Sequence, residues 1–253
     1  MTQPRPLTHS DLLQLKRWNT PTISNGWEQS TKRDYCADAF NIEETRDFMP
    51  QMGPMVGYAV TVVIEPSNAS HKKTLPNITS DYRDYLGSVA GPKIVVIQDL
   101  DKPRVIGSFW GEVNANIHKA LGCIGTITDG AIRDVDEMTN AGFKSIARRL
   151  CVGHAAAQTV RFNCDVEVFG TKVSPGDLIH ADKHGFMVIT PEEQPRLLEA
   201  SKFMDTNECE TMIAAARSAV GLTTAEILEN LKKTSIQFGD NVKKKFAKDG
   251  EWS

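Results

Sequence analysis

Residues 129–137, Asp-Gly-Ala-Ile-Arg-Asp-Val-Asp-Glu, bring four carboxylates and one guanidinium together directly behind the apolar run 123–128. Asp134 and Glu137 have the three-residue spacing of a helix capping box, and acidic residues in a first turn suit the helix dipole. Asp134 equally offers hard oxygens to a divalent cation such as Mg²⁺ held largely through water. Arg133 reads either as a surface ion-pair partner or as a planar fork for a carboxylate. Taken locally, the segment leaves each of these readings open.

The stretch upstream adds a second device. Gly111 stands where a helix over 112–121 begins, after the apolar stretch 104–110 that ends in Trp110. A helix start presents unpaired N–H groups and partial positive charge, and glycine lets a ligand come close to the backbone. A substrate carboxylate would rest on the amides of Val113 and Asn114, with Arg133 gripping the same group. Glu112 and Asp134 would supply oxygens to the cation, and Trp110 and Asn114 would lend an aromatic and an amide beside it. No histidine falls inside this motif, and His118, His154 and His184 are expected to be structural or exposed.

These residues need elements to position them. The Val- and Ile-rich runs 55–66, 93–99 and 123–130 read as strands, as does 104–110. Residues 8–18, 80–88, 112–121 and 134–142 read as helices, the last two ended by Gly122 and Gly142. Residues 20–29 contain Pro21 and Gly26 and read as a connection, 30–50 shows no clear element, and 67–80 reads as a surface loop. Residues 165–193 alternate apolar and polar types between Gly and Pro turns, which predicts two or three antiparallel strands. From 191 onward the pattern is helical, with the last fifteen or so residues a solvated tail. The order is neither regular βαβα nor purely hairpin, so a mixed sheet is expected.

The chain as a whole bounds the chemistry. Its 253 residues, 40% hydrophobic and 24% charged, suit a soluble globular protein with a substantial core. A formal charge of −3 gives no general attraction to nucleic acid, and no apolar run approaches a membrane span. The polar N-terminal stretch and five scattered cysteines, Cys36 among them, point to the cytoplasm and to reduced thiols.

The segment Trp110–Met138 resembles the RraA-like family, which includes 4-hydroxy-4-methyl-2-oxoglutarate aldolases. Gly111, Glu112, Gly122, Gly125, Asp129, Gly130, Arg133, Asp134 and Glu137 stand at the family's pattern positions. A second stretch matches through Gly170, Val173, Pro175, Gly176, Asp177, Ala181, Asp182 and Gly185. The resemblance implies an α/β fold, a mixed-sheet β/β/α sandwich of the swivelling-domain type. It would have an N-terminal helical segment at 1–50, a core domain at 51–192 and a C-terminal helical extension and tail at 193–253.

It further implies that Asp134 binds Mg²⁺ or Mn²⁺ directly and that Glu112, where the aldolases carry Asp, holds one of its waters. Arg133 and the backbone after Glu112 would hold a pyruvate-like carboxylate, in homotrimers or hexamers with sites between subunits. The expected activity is metal-dependent carbon–carbon lyase chemistry on a small 2-oxo acid: retro-aldol release of pyruvate, oxaloacetate decarboxylation, or both. Two rivals stand beside it. One is a non-catalytic regulator that binds a protein partner such as a ribonuclease, and the other is a metal-dependent hydro-lyase of sugar acids.

Overall fold

Runs of Val and Ile without polar alternation belong to strands covered on both faces. In the computed structural model, which describes residues 7–34 and 39–248, such runs build the centre of a nine-stranded mixed sheet. Its strands are β1 (Arg46–Asp47), β2 (Met55–Ile64), β3 (Lys93–Asp99), β4 (Ser108–Trp110), β5 (Cys123–Ile132), β6 (Lys144–Leu150), β7 (Thr159–Phe162), β10 (Leu178–Asp182) and β11 (Gly185–Ile189). The main path runs β1-β6-β5-β3-β2-β10-β11, with β4 paired on β5 and β7 on β2. Strands β2, β3, β5 and β6 are mutually parallel, whereas β1, β7, β10 and β11 pair antiparallel. A separate ribbon joins β8 (Val166–Val168) to β9 (Thr171–Val173), so 165–193 holds four strands rather than two or three.

Parallel neighbours require crossovers, and helices supply them. The described helices are α1 (His9–Leu15), α2 (Thr20–Ser30), α3 (His71–Thr74), α4 (Ile78–Ser88), α5 (Glu112–Ala120), α6 (Val135–Asn140), α7 (Gln194–Glu210), α8 (Met212–Arg217) and α9 (Thr224–Phe246). Alternate strand residues face opposite sides. Val60, Val62, Val95 and Ile97 pack under Tyr82 and Leu86 of α4, Ala115 of α5 and Met138 of α6. Ala59, Val63, Ile94 and Val96 pack on the β8–β9 ribbon through Val166, Val168 and Val173. The layers are therefore ribbon, sheet and helices, the β/β/α arrangement expected. Leu12, Leu15, Ile23, Trp27 and Leu197 from the terminal helices cover Val56, Leu178, Met187 and Ile189 at the β10–β11 end.

Other expectations change as well. Residues 20–30 form helix α2, because Asn19 Oδ1 caps the amide of Thr22 at 2.9 Å and Pro21 sits in the first turn, where its missing N–H costs nothing. Of the stretch 104–110, only Ser108–Trp110 is strand. Residues 46–47 and 71–74 form β1 and α3 within segments read as irregular. The expected tail is helical through Phe246, because Phe238 and Val242 bury against Met204, and Lys243–Lys245 occupy the last turn of α9. Residues 249–253 and Cys36 lie outside the described residues.

Candidate active site

Strand register brings the two halves of the motif together. β4 runs parallel to the end of β5, with Ser108 opposite Ala131 and Trp110 opposite Ile132. Both strands therefore stop side by side, and Gly111 leaves one as Arg133 leaves the other. The Arg133 amide donates to Trp110 O at 3.3 Å. Crevices beyond the carboxyl ends of parallel strands are where α/β sheets place ligands.

Asp134 then adopts left-handed backbone (φ 55°, ψ 48°), a region non-glycine residues seldom occupy. In that conformation its carboxylate makes no cap bond to its own helix α6. Oδ2 instead accepts from the Glu112 amide at the tip of α5, at 3.1 Å. The capping reading of Asp134 thus fails for a specific reason: the carboxylate caps the neighbouring helix. Gly111 makes this approach possible, since a Cβ there would lie 2.7 Å from Asp134 Oδ2 and 3.2 Å from Arg133 Nε. Its own φ of −173° is ordinary extended backbone, so space rather than conformation requires glycine.

The Arg133 Nε lies 3.8 Å from Asp134 Oδ2, and its Nη1 donates to Val152 O at 3.3 Å. Both side chains are more than one-third exposed, so this is a weak surface pair with capacity left for a ligand. The first intrahelical bond of α5 is Ala115 N to Gly111 O, 3.0 Å. The amides of Val113 and Asn114 precede it and have no acceptor within the helix. Arg133 and Asp134 separate two clefts. One, of about 240 Å³, is lined by Trp110, Gly111, Glu112, Val113, Asn114 and His154. The other, of about 450 Å³, is lined by Asp136, Glu137, Arg149, Leu150, Cys151 and Val152.

Other motif residues have different work. Trp110 is 1% exposed, with its ring 4.7 Å from those of both His118 and Phe143, so its indole belongs to the core. The Asn114 side chain donates to Phe109 O at 2.6 Å, and the Asn114 main-chain carbonyl accepts from His118 Nδ1 at 2.7 Å. Both residues line the cleft beside Arg133 and Asp134, the indole packed into the core and the Asn114 amide held by Phe109 O. His118 Nε2 accepts from the Tyr82 hydroxyl at 3.0 Å, and burial pulls its pKa down to about 4, so it is a neutral structural group behind α5. Asp129 is fully buried: Oδ1 accepts from the Asp99 amide at 2.7 Å and Oδ2 from Lys102 Nζ at 2.8 Å. It ties the ends of β3 and β5 together. Asp136 and Glu137 are exposed on α6. Of the four carboxylates, Asp134 alone meets the helix tip.

The donor set suits a hard cation held mainly by water. Asp134 Oδ1 and the Glu112 carboxylate have no hydrogen-bond or ion-pair partner among the described residues. Among those residues no group of three or more His, Cys, Asp or Glu gathers as a complete metal site. One or two carboxylates beside open space are what Mg²⁺ or Mn²⁺ requires when waters and substrate fill the other positions.

Comparison with known proteins identifies the family. A model described as RraA-like (Aldolase/RraA) matches residues 20–188. The chain belongs to the RraA-like family. This RraA-like chain is 28% identical over 116 residues to a protein of Halalkalibacterium halodurans provisionally named 4-hydroxy-4-methyl-2-oxoglutarate aldolase, covering 45% of the chain and 54% of that protein. It spans less than two thirds of the length of the curated relatives it matches. A crystal structure of a protein from Pseudomonas syringae pv. tomato superposes with a TM-score of 0.69 at 21% identity, covering 94% of this chain and 98% of the other. RraAS2 of Streptomyces coelicolor, described as an unusual member of the RNase ES inhibitor RraA protein family, gives 0.56 at 17% identity over 81% and 96%. Both likenesses establish the RraA-like fold.

His154 is exposed, as one of the two sequence expectations had it, and it also stands beside the motif residues. It lies outside the motif in the chain, yet it lines the same cleft as Gly111 and Arg133. Only the folding of loop 151–158 back toward β4 brings it there, and no local spacing signals that.

Proposed function

We propose that this RraA-like protein is a divalent-metal-dependent lyase that breaks a carbon–carbon bond of a 2-oxo acid. The products would be pyruvate and a carbonyl compound from a 4-hydroxy-2-oxo acid, or pyruvate and carbon dioxide from oxaloacetate. One observation carries the reading: Arg133 and Asp134 converge on the glycine-led tip of α5, with Asp134 Oδ2 3.1 Å from the Glu112 amide, at the edge of an open cleft.

Each group there has a task. The exposed amides of Val113 and Asn114 and the positive end of α5 receive the substrate carboxylate. The Arg133 guanidinium, fixed by its bond to Val152 O, forks toward that carboxylate or the adjacent 2-oxo oxygen. Negative charge grows on the 2-oxo oxygen as the bond to C3 breaks, and a guanidinium already oriented toward it lowers the barrier without reorganising. Asp134 directly and Glu112 through water would hold Mg²⁺ or Mn²⁺, which when bound supplies Lewis acidity toward the oxo acid. Around the cleft mouth Val113 and Val152 stand 72% and 94% exposed, with Leu150 half-exposed beside Val152. Apolar groups so exposed beside a polar site fit coverage by a second copy of the chain, in a homotrimer or hexamer.

The test is pyruvate release from 4-hydroxy-2-oxo acids and oxaloacetate, with added Mg²⁺ or Mn²⁺ and with EDTA. Turnover should vanish with chelator and return with metal, and Arg133→Ala and Asp134→Ala should each lower it by at least about a hundredfold while the protein stays folded. Wild-type-like turnover in either variant would overturn the assignment. No pyruvate from any of these substrates would favour the hydro-lyase or the non-catalytic regulator.

A further inference from the structure

Resting on that reading, we infer that His154 is a catalytic residue: its Nε2 takes the proton of the substrate's 4-hydroxyl during retro-aldol cleavage. The loop that carries it is pinned by main-chain bonds. Cys151 N donates to Ile132 O at 3.0 Å, Ser108 N to Gly153 O at 3.1 Å, Ala156 N to Pro66 O at 3.1 Å and Ala157 N to His154 O at 3.0 Å. Gly107 is required beneath it, because a Cβ there would lie 2.7 Å from both His154 O and Ala155 Cβ. Ala155 turns through left-handed backbone at φ 49°, a conformation alanine adopts only when its surroundings impose it. These contacts place His154 on the cleft shared by Gly111, Glu112, Arg133 and Asp134.

The hydrogen bonding also selects a tautomer. His154 Nδ1 lies 2.8 Å from Ala155 O, and a carbonyl oxygen only accepts, so Nδ1 carries the proton. Nε2 of the neutral ring then keeps its lone pair, and it has no partner among the described residues. A neutral imidazole fixed in this way is a proton acceptor, and the carboxylates lining this smaller cleft, Glu112 and Asp134, are the proposed cation holders.

The step balances. The 4-hydroxyl proton passes to Nε2, and the O–H electron pair becomes the second bond of the new C4 carbonyl. The C3–C4 bond breaks, and its electron pair moves into the C2–C3 bond as the 2-oxo group takes up negative charge. The same proton, now on Nε2, is returned to C3 to give pyruvate, and the ring is again neutral. Decarboxylation of oxaloacetate needs no such acceptor, because the departing carboxylate carries no proton. That difference separates this inference from the reading beneath it.

The experiment compares both reactions in wild type, His154→Gln and His154→Ala with Mg²⁺. Cleavage of a 4-hydroxy-2-oxo acid should fall about a hundredfold or more, while decarboxylation falls less than about tenfold. Added imidazole should restore part of the cleavage lost in H154A. Gly107→Ala, which displaces the loop and leaves the imidazole chemistry intact, should shift the ratio of the two rates in the same direction. Nitrogen-15 shifts of the His154 ring in wild type should report the Nδ1–H tautomer. Equal loss of both reactions, undiminished cleavage in H154Q, or an Nε2–H ring would overturn the inference. A wild type that decarboxylates oxaloacetate yet cleaves no hydroxy acid would overturn it too, leaving the site assignment intact. A wild type inactive on everything would remove the site assignment itself.

Discussion

Gly111 and Asp99 show how single positions separate activity from stability. Gly111→Ala imposes no backbone strain, but its new Cβ would stand 2.7 Å from Asp134 Oδ2, so that carboxylate or Arg133 must move. Displacement on the order of 1 Å at a reacting centre costs about a hundredfold. We expect kcat/KM for pyruvate release to fall at least about tenfold in G111A, with a melting temperature close to that of wild type. Asp99 behaves in the opposite way. It is fully buried, Oδ1 accepts from the Asp101 amide at 2.9 Å, Oδ2 has no hydrogen-bond partner among the described residues, and burial pushes its pKa up to about 7. Between the ordinary carboxylate value near 4 and about 7, the folded chain holds a proton that the unfolded chain has lost. This group's contribution to stability is therefore present at low pH and is lost as pH rises through that window. Asp99→Asn retains the acceptor for Asp101 and removes the cost of burying a charge. Urea unfolding should find it more stable than wild type by about 1–3 kcal/mol at pH 8, with the advantage shrinking toward pH 4. A constant difference across that range would refute this account.

At the scale of elements, the site depends on where strands stop and helices start. β4 and β5 end together because Trp110 pairs opposite Ile132, and α5 begins at once on Gly111. Behind α5, the Tyr82–His118–Asn114 chain of hydrogen bonds anchors the helix whose tip would receive the substrate. Far from this, α2 and α7 approach so closely at Gly26 that a Cβ would lie 2.4 Å from Ser201 N and 2.5 Å from its Cα. Backbone cannot yield as a side-chain end can, so Gly26→Ala must push the two helices apart. Overpacking of this kind costs about 1–3 kcal/mol or more. The urea midpoint of G26A should fall accordingly while the proposed pyruvate-releasing activity of the remaining folded protein persists. An unchanged midpoint would show that the helices separate freely.

For the whole molecule the question is what covers the cleft mouth. The apolar rim of Val113, Leu150 and Val152 lies beside Arg133 and Asp134, and a second copy seated on it would exclude water from the reacting centre. Light scattering of wild type should give a trimer or hexamer. Val152→Asp leaves the carbonyl that accepts from Arg133 Nη1 in place and puts a charge where the partner would sit. It should dissociate the assembly and lower pyruvate release at least about tenfold together. A monomeric wild type, or a dissociated variant with full activity, would remove the second copy from the mechanism.

Some of this was legible in the chain itself. The Val- and Ile-rich runs within 55–66, 93–99 and 123–130 marked the central strands, and the irregular order of strands and helices marked a mixed sheet, because apolar β-branched residues suit a buried pleated surface. The spacing of Gly111, Glu112, Arg133 and Asp134 carried the family pattern and the proposed anion-and-cation chemistry. Local pattern could not tell the carboxylates apart, since Asp129 and Asp134 are equally acidic in sequence, and only the family resemblance singled out Asp134. Strand register buries the first beside Asp99 and Lys102, and a left-handed turn swings the second onto α5. Pro21 and Gly26 looked like chain breaks because local propensity omits α7, the neighbour that makes a helix there worth forming. His154 was placed outside the motif for the same reason. Local pattern reports periodicity and burial, whereas contact between residues distant in the chain depends on long-range pairing that only the folded structure supplies.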